Sequence, residues 1–174
     1  MQRKKWMQLL YFGLFAGGAV AADQITKALT VANIACHSKD VCNTATTRNI
    51  PFIDGVLSFT HSHNTGAAWS MMEGARWLFV ALFVAMTALV LWEYIKKPMG
   101  FNQFERWCIA AVWAGGLGNV IDRVRLGYVI DMIQTEFMSF PIFNVADCFI
   151  TCGCIGLIVS LIFFNKKFWK EDKK

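Results

Sequence analysis

Four low-charge apolar segments divide the chain: Trp6–Ala22, Trp77–Trp92, Trp107–Ile121 and Cys148–Phe164. Each approaches the roughly 20 residues that an α-helix needs to cross a hydrocarbon core of about 30 Å. Backbone N–H and C=O groups find no partner in lipid, so such blocks are confined to helices that satisfy their own hydrogen bonds. Composition agrees: of 174 residues, 56% are hydrophobic and 17% charged, against roughly 25% charged in an average soluble domain. These values argue against an ordinary soluble enzyme. The net charge of +5 raises nucleic acid as a partner in a soluble chain; here the placement of the charges matters more than their sum, and no nucleic-acid partner is expected.

That placement is asymmetric. Arg3, Lys4 and Lys5 precede the first block, Lys96, Lys97 and Arg106 lie between the second and third, and Lys166, Lys167, Lys170, Lys173 and Lys174 follow the fourth, which makes eleven of the 17 basic residues. By the positive-inside rule, both termini and the middle loop are cytoplasmic. Trp6, Trp92, Trp107 and Trp169 stand beside these flanks, where indole rings mark the inner interface. The basic start, the apolar run and Ala19-Val20-Ala21 also fit a cleavable secretory signal. The helical pattern instead runs on through Asp23, Gln24 and Lys27, with Asp23 and Lys27 at i, i+4 on one face, which favours a retained span.

The fold expected is therefore membrane all-α: four transmembrane helices over about 6–29, 75–95, 105–123 and 146–165, forming a single integral-membrane domain. The outer loops fall at about 31–64 and 124–143. The first contains Pro51, Gly55 and the β-like run Gly55–Thr60, read as a small extracytoplasmic sheet or cradle. The second, with Gly127 and Pro141, is too short and too polar to be another span.

A helix rises 1.5 Å per residue, which puts Asp23, Arg76, Asp122 and Asp147 at about 24–30 Å from the inner basic flanks, near the outer boundary. Asn119, Asp122 and Arg123 share one face of the third helix, Asn144 and Asp147 open the fourth, and Asp131 lies between them. Carboxylates near lipid are costly and tend to be functional. A structural alternative pairs Asp122 with Arg123 or Arg125 and uses the asparagines to satisfy helix ends. Two nearby carboxylates such as Asp131 and Asp147 repel unless they share a proton, which is the basis of aspartic-protease chemistry. The ionised member takes a proton from water while the protonated member polarises the scissile carbonyl, with no metal or cofactor required.

Five motifs in series carry a resemblance: Asp23-Gln24-Ile25-Thr26-Lys27, Asn64-Thr65-Gly66-Ala67-Ala68-Trp69, Gly118–Arg123, Gly127–Asp131 and Phe143–Asp147. The chain resembles the lipoprotein signal peptidase (signal peptidase II) family over nearly its whole length. The resemblance implies an intramembrane aspartyl endopeptidase of the bacterial inner membrane, with its site near the outer face. Such an enzyme removes the signal peptide from prolipoproteins, cutting before the diacylglyceryl-modified cysteine. Asp131 and Asp147 would be the catalytic dyad. Asn119, Asp122 and Asn144 would shape the site, Asn64 and Arg123 would hold substrate, and Gly66 and Ala146 are grouped with them as site-supporting. Asp23 and Lys27 would tie the first helix to the bundle. The resemblance also implies sensitivity to globomycin, a cyclic peptide that mimics the substrate; contact with membrane lipid and a monomeric state are expected.

Met132 and Trp69 stand where the family commonly has phenylalanine, and the outer loop before Asn64 is long and contains Cys36 and Cys42. A disulfide between those two is permitted outside the cell and left open. Cys108, Cys148, Cys152 and Cys154 are expected as small buried apolar side chains. His61 and His63 alternate as on a strand and are read as surface or substrate-facing imidazoles in preference to zinc ligands. Gly13 with Gly17, and Ala111 with Gly115, are read as seams between helices. A proton-relay transporter and a non-catalytic scaffold are the rival readings; acids clustered at one height disfavour the relay.

Overall fold

The structure, a computed structural model, describes residues 2–36, 49–66, 74–96 and 100–165, with side chains from Met7 onward. Its elements run α1 (Gln2–Asn33), β1 (Ile50–Ile53), β2 (Leu57–Asn64), α2 (Arg76–Lys96), α3 (Gln103–Arg125), β3 (Val129–Thr135) and α4 (Val145–Val159), which continues as a π-helical turn, Ser160–Phe164. The strands form one antiparallel sheet in the order β1-β2-β3.

Three helical segments are long and apolar enough to cross a membrane: Met7–Asn33, Arg76–Lys96 and Val145–Phe164. The third expected span, α3, has 23 residues but carries Glu105, Arg106, Asp122, Arg123 and Arg125, which dilute its apolarity below that of a lipid-facing crossing. Its place in the bundle explains the difference. α3 packs against α1, α2 and α4, so Glu105, Asn119, Asp122 and Arg123 are buried against protein, while Arg125 at its end is exposed. The other helices turn apolar side chains outward, Leu14, Val84, Ile158 and Phe163 among them. Polar groups are buried instead: Asp23, Lys27, Glu105, Asn119, Asp122 and Asn144 are each at most 8% exposed. This inversion of the soluble pattern suits a lipid solvent.

Glycine lets α3 and α4 approach. A Cβ on Gly115 would collide with the Ala146 carbonyl, and one on Gly153 would lie 2.7 Å from the Cys108 carbonyl oxygen and 2.8 Å from Val112 Cγ2. Small residues at the contact are the usual solution where packing alone drives helix association. The Ala111–Gly115 seam is therefore used at Gly115. Gly13 and Gly17 form no seam among the described residues, since none of them comes within 4 Å of a Cβ added at either position; that expectation is corrected.

At 32 residues α1 is about 48 Å long, well beyond a core of about 30 Å. Its C-terminal turns reach the sheet, touching β2 and β3. The expected cradle is therefore a true sheet. β3 comes from the second outer connection, which the sequence reading left without a strand, although Val129-Ile130-Asp131-Met132-Ile133 is rich in β-branched and apolar residues. β2 and β3 pair with Ser62 opposite Asp131 and Asn64 opposite Val129, after an irregularity between Phe59 and Ser62. Gly55, at φ +69°, closes the hairpin between β1 and β2, and Gly127, at φ +89°, turns the chain from α3 into β3.

Gly153→Val is expected to lower thermal stability by about 1–3 kcal/mol through overpacking, while Gly13→Ala is expected to be neutral or stabilising. Melting curves of the detergent-solubilised variants check both.

Candidate active site

Two local devices place the acids. Asn144 is the N-cap of α4: its side chain accepts the Asp147 N–H at 3.0 Å, while its own N–H donates to Asp147 Oδ2 at 3.1 Å. This reciprocal capping box satisfies two helix-end donors and fixes the Asp147 carboxyl over the first turn. Just before it, Phe143 bridges to Ile133: the Met132 and Ile133 N–H groups donate to the Phe143 carbonyl, and the Phe143 N–H returns to Ile133. The start of α4 is thereby sewn to β3, the strand that carries Asp131.

The carboxyls then share one set of amides. Asn144 Nδ2 donates to Asp131 Oδ1 at 2.6 Å, and Asn64 Nδ2, from β2, donates to Asp131 Oδ2 at 2.9 Å. Asn119 Nδ2, from α3, donates to Asp147 Oδ1 at 2.7 Å. Asn119 and Asn144 are joined by an Asn144 Nδ2–Asn119 Oδ1 bond of 3.0 Å. Asp131 is 2% exposed. Burial first, and then the neighbouring Asp147 charge, push its pKa from the ordinary 3.8 up to about 7, against the opposing pull of the Asn64 and Asn144 hydrogen bonds and the Lys27 charge.

Beneath this layer Lys27 binds Asp23 and Asp122, each at 2.9 Å, and donates to Asn119 Oδ1 at 3.1 Å. Asp23 also accepts the Ala146 N–H at 3.0 Å, and Asp122 accepts the Ile130 N–H at 3.2 Å. Gln24 donates to Asp122 at 3.0 Å and to the Gly118 carbonyl at 3.2 Å. One face of α1 thus holds α3, α4 and β3 together.

Arg123 donates to the Gly66 carbonyl at 2.7 Å and to the Asn119 carbonyl at 3.3 Å, and its guanidinium lies 4.4 Å from the centre of the Phe79 ring. Gly66 in turn donates its N–H to Asn64 Oδ1 at 3.0 Å. Asn64, Asn119, Arg123, Asp131 and Asp147 line the polar end of a cavity of about 710 Å³, whose walls are mostly apolar and include Phe83, Met86 and Ile150. Its mostly apolar lining suits a long apolar ligand.

Several sequence expectations change. Asp122 pairs with Lys27, not with Arg123 or Arg125, because the long α1 lays an ammonium against α3. His61 is buried, with Nδ1 3.0 Å from the Ile34 carbonyl, so it is not a surface imidazole. His63 stacks on Tyr128 at 3.9 Å between ring centres, and among the described residues no cluster suited to a metal ion includes either histidine. Cys152 is exposed and Cys148 half-buried, and both line the cavity; Cys108 alone of the four is buried. Cys36 is disulfide-bonded; Cys42, Ala67, Ala68, Trp69 and the C-terminal lysines lie outside the described residues.

The Glu105 network was missed altogether. Glu105, fully buried, forms the capping box of α3 with Asn102 and accepts from Ser160 Oγ at 2.9 Å and Asn165 Nδ2 at 2.8 Å. The spacing Asn102-x-x-Glu105 was the available signal.

Apolar outward faces, a polar interior and paired carboxylates at the head of an open cavity define a multi-pass membrane protein with a buried acid site. Comparison with known proteins narrows this. The family described as Signal peptidase (SPase) II matches residues 15–163. A lipoprotein signal peptidase of Enterococcus faecalis is 41% identical over 166 residues, 95% of each chain. One of Streptococcus pyogenes serotype M2 is 37% identical over 153 residues, 88% of this chain and 89% of the relative. A solved bacterial membrane enzyme, determined by the in meso method, superposes with a TM-score of 0.77 at 30% identity, covering 94% of this chain and 93% of its own. A second superposes at 0.74 and 31% identity, covering 88% and 94%. The chain belongs to the signal peptidase II family and is, by that membership, a peptidase.

The raised Asp131 pKa has a thermodynamic sign. The folded protein holds this proton more tightly than the unfolded chain, so the group's stabilising contribution is full below pH 3.8 and is lost as pH rises through about 7. Asp131→Asn is expected to remove that loss: the variant's melting temperature should gain on wild type between pH 4 and pH 8, as read by melting curves across pH.

Proposed function

We propose that the chain is an intramembrane aspartyl endopeptidase that removes the signal peptide from prolipoproteins, cutting before the diacylglyceryl-modified cysteine. The observation that carries this reading is the shared amide frame: Asn144 binds both Asp131 and Asp147 at the polar head of an apolar cavity. Two carboxyls so held favour a single shared proton. The ionised member takes a proton from water, whose oxygen attacks the scissile carbonyl carbon. The protonated member gives its proton to the carbonyl oxygen, and collapse of the tetrahedral adduct releases the new amine with a proton returned from the dyad.

Binding follows from the same surfaces. The signal helix and the acyl chains of the lipidated cysteine both reside in lipid, and the mostly apolar cavity accepts them sideways. Asn64, Gly66 and Arg123 form a polar clamp on substrate backbone. Asn119, Asp122, Asn144 and Ala146 support the dyad, and Asp23 and Lys27 anchor α1 beneath it. Globomycin competes for the same space. α3, enclosed by α1, α2 and α4, serves as the fourth crossing. Both termini then lie on the cytoplasmic side of the bacterial inner membrane and the dyad near the outer face, and the enzyme acts as a monomer.

The purified protein should cleave a diacylglyceryl-modified prolipoprotein in a gel-shift assay, and globomycin should block it. Asp131→Asn and Asp147→Asn should each lose at least about 10³-fold in turnover while still folding. Cleavage by both variants at the wild-type rate would sink the dyad and return the proton-relay or scaffold reading. The kcat/KM profile should fall on its alkaline side near pH 7, where Asp131 loses its proton, and Asn64→Ala, which removes a bond to the ionised form, should move that limb to higher pH.

A further inference from the structure

The dyad is held by three asparagines, and an asparagine amide presents an acceptor on one side and donors on the other. Each must therefore be oriented by something that cannot accept the wrong end. For Asn144 this is the Asp147 backbone N–H, which donates to Asn144 Oδ1 at 3.0 Å and so turns Nδ2 toward Asp131. For Asn64 it is the Gly66 N–H, which donates to Asn64 Oδ1 at 3.0 Å and turns Nδ2 toward the other oxygen of Asp131. Among the described residues Asn119 has no such backbone partner. Its Oδ1 accepts from Lys27 Nζ at 3.1 Å and from the Asn144 amide at 3.0 Å, and its Nδ2 meets Asp147 Oδ1 at 2.7 Å.

An ammonium has three N–H donors and no acceptor. Lys27 uses all three, on Asp23, Asp122 and Asn119. A reversed Asn119 amide would set its NH₂ against an ammonium and its oxygen against a carboxylate, an arrangement repulsive on both sides. From this geometry, and resting on the dyad reading above, we infer that Lys27 is a positioning residue for catalysis: by locking the Asn119 amide it keeps an N–H on Asp147, holding Asp147 as the ionised member and leaving the shared proton on Asp131. The remaining contact of Asp147, from the Asn144 backbone N–H to Oδ2, is also a donor; both oxygens of Asp131 likewise accept, from Asn144 and Asn64, so what sets Asp147 apart is its place on the first turn of α4, where a helix N-terminus favours negative charge. Its surroundings agree. The charged groups that act on it are Lys27 and Asp23 from α1, Arg123 from α3, and Asp131 from β3. α2 brings only Phe79, Leu82, Phe83 and Met86 to the cavity, and α4 itself adds the Cys148 and Cys152 thiols. The cation nearest the asparagine that serves Asp147 is Lys27.

The test is the kcat/KM–pH profile on a diacylglyceryl-modified prolipoprotein for wild type, Lys27→Met, Lys27→Arg and Asn119→Ala, each confirmed folded by its melting curve. Loss of the lock should raise the acid limb of Lys27→Met by about one to two pH units. Lys27→Arg, which keeps the cation and its donors, should return the limb toward wild type. Asn119→Ala leaves the ion cluster with Asp23 and Asp122 in place and should raise the same limb. That variant keeps the inference falsifiable if Lys27→Met does not fold: an Asn119→Ala limb at the wild-type position overturns it, and so does a Lys27→Met enzyme of lower rate on an unmoved limb. Wild-type cleavage by Asp131→Asn and Asp147→Asn is a separate result and would overturn the dyad itself. Inactive dyad variants together with unmoved limbs would remove only the role of Lys27.

Discussion

A charge buried in a protein that lies in lipid has no water to fall back on, and the structure is organised around one such charge. Lys27 is 1% exposed, and its ammonium is met by two carboxylates and an amide oxygen from two helices. Removing one member of a buried pair typically costs about 3–5 kcal/mol because the partner is left uncompensated. The geometry of α1 against α3 is therefore specified by these ion pairs together with the packing of Ala16 and Ala19 on Ala114. The carboxylates carry this order outward. Asp23 reaches the first turn of α4 through the Ala146 N–H, and Asp122 reaches β3 through the Ile130 N–H. Gly118 permits the approach, since a Cβ there would lie 2.6 Å from Asp23 Oδ2.

Folding and the proposed chemistry use the same atoms at the head of α4. The capping box that begins the helix also aims Asp147, and the capping amide that satisfies the Asp147 N–H donates to Asp131. A helix N-terminus favours negative charge on its first turn, so Asp147 is at once a structural cap and a candidate base. Asp131 comes from a different setting. It sits on a strand opposite Ser62, 2% exposed, and belongs to no helix. Two chemically identical side chains are made unequal by the elements that carry them.

Much of this was legible in the sequence because it follows from solvent and spacing. The apolar blocks located α1, α2 and α4, and counting residues from the basic flanks placed Asp23, Asp122 and Asp147 at one level. The Asp23–Lys27 pair was visible from its i, i+4 spacing. Contacts between elements were harder to see. Asp122 was assigned to its arginine neighbours, since nothing along the chain announces that a lysine ninety-five positions earlier lies across the helix interface. β3 escaped because a strand in an edge connection is defined by its partner, and its pairing with β2 is set by tertiary register. His61 was read as surface because it alternates with His63; the irregularity between Phe59 and Ser62 interrupts that alternation, and the ring turns inward to the end of α1. Glu105 went unread as a core residue because charge in a basic flank normally signals water, whereas here Ser160 and Asn165 fold over it.

The position of the acids at one end of the bundle also follows from what hydrolysis requires. A peptidase in lipid needs a dry, apolar surface for a hydrophobic substrate and water for the reaction. A carboxyl pair at mid-depth would have the first and lack the second. Asp131 and Asp147 stand where α4 begins and the sheet closes over it, with the apolar walls of Phe83, Met86 and Ile150 on one side and the polar side chains of Asn64 and Arg123 on the other. A proton relay has the opposite need: successive groups spaced across the membrane. The other buried acids of the described bundle, Glu93 and Glu105, are tied to Arg106 and to Ser160 and Asn165, with no carboxylate bridging the apolar interval between them and Asp23. Among the described residues the buried carboxylates therefore fall into two separate groups, which is not the succession that a relay uses.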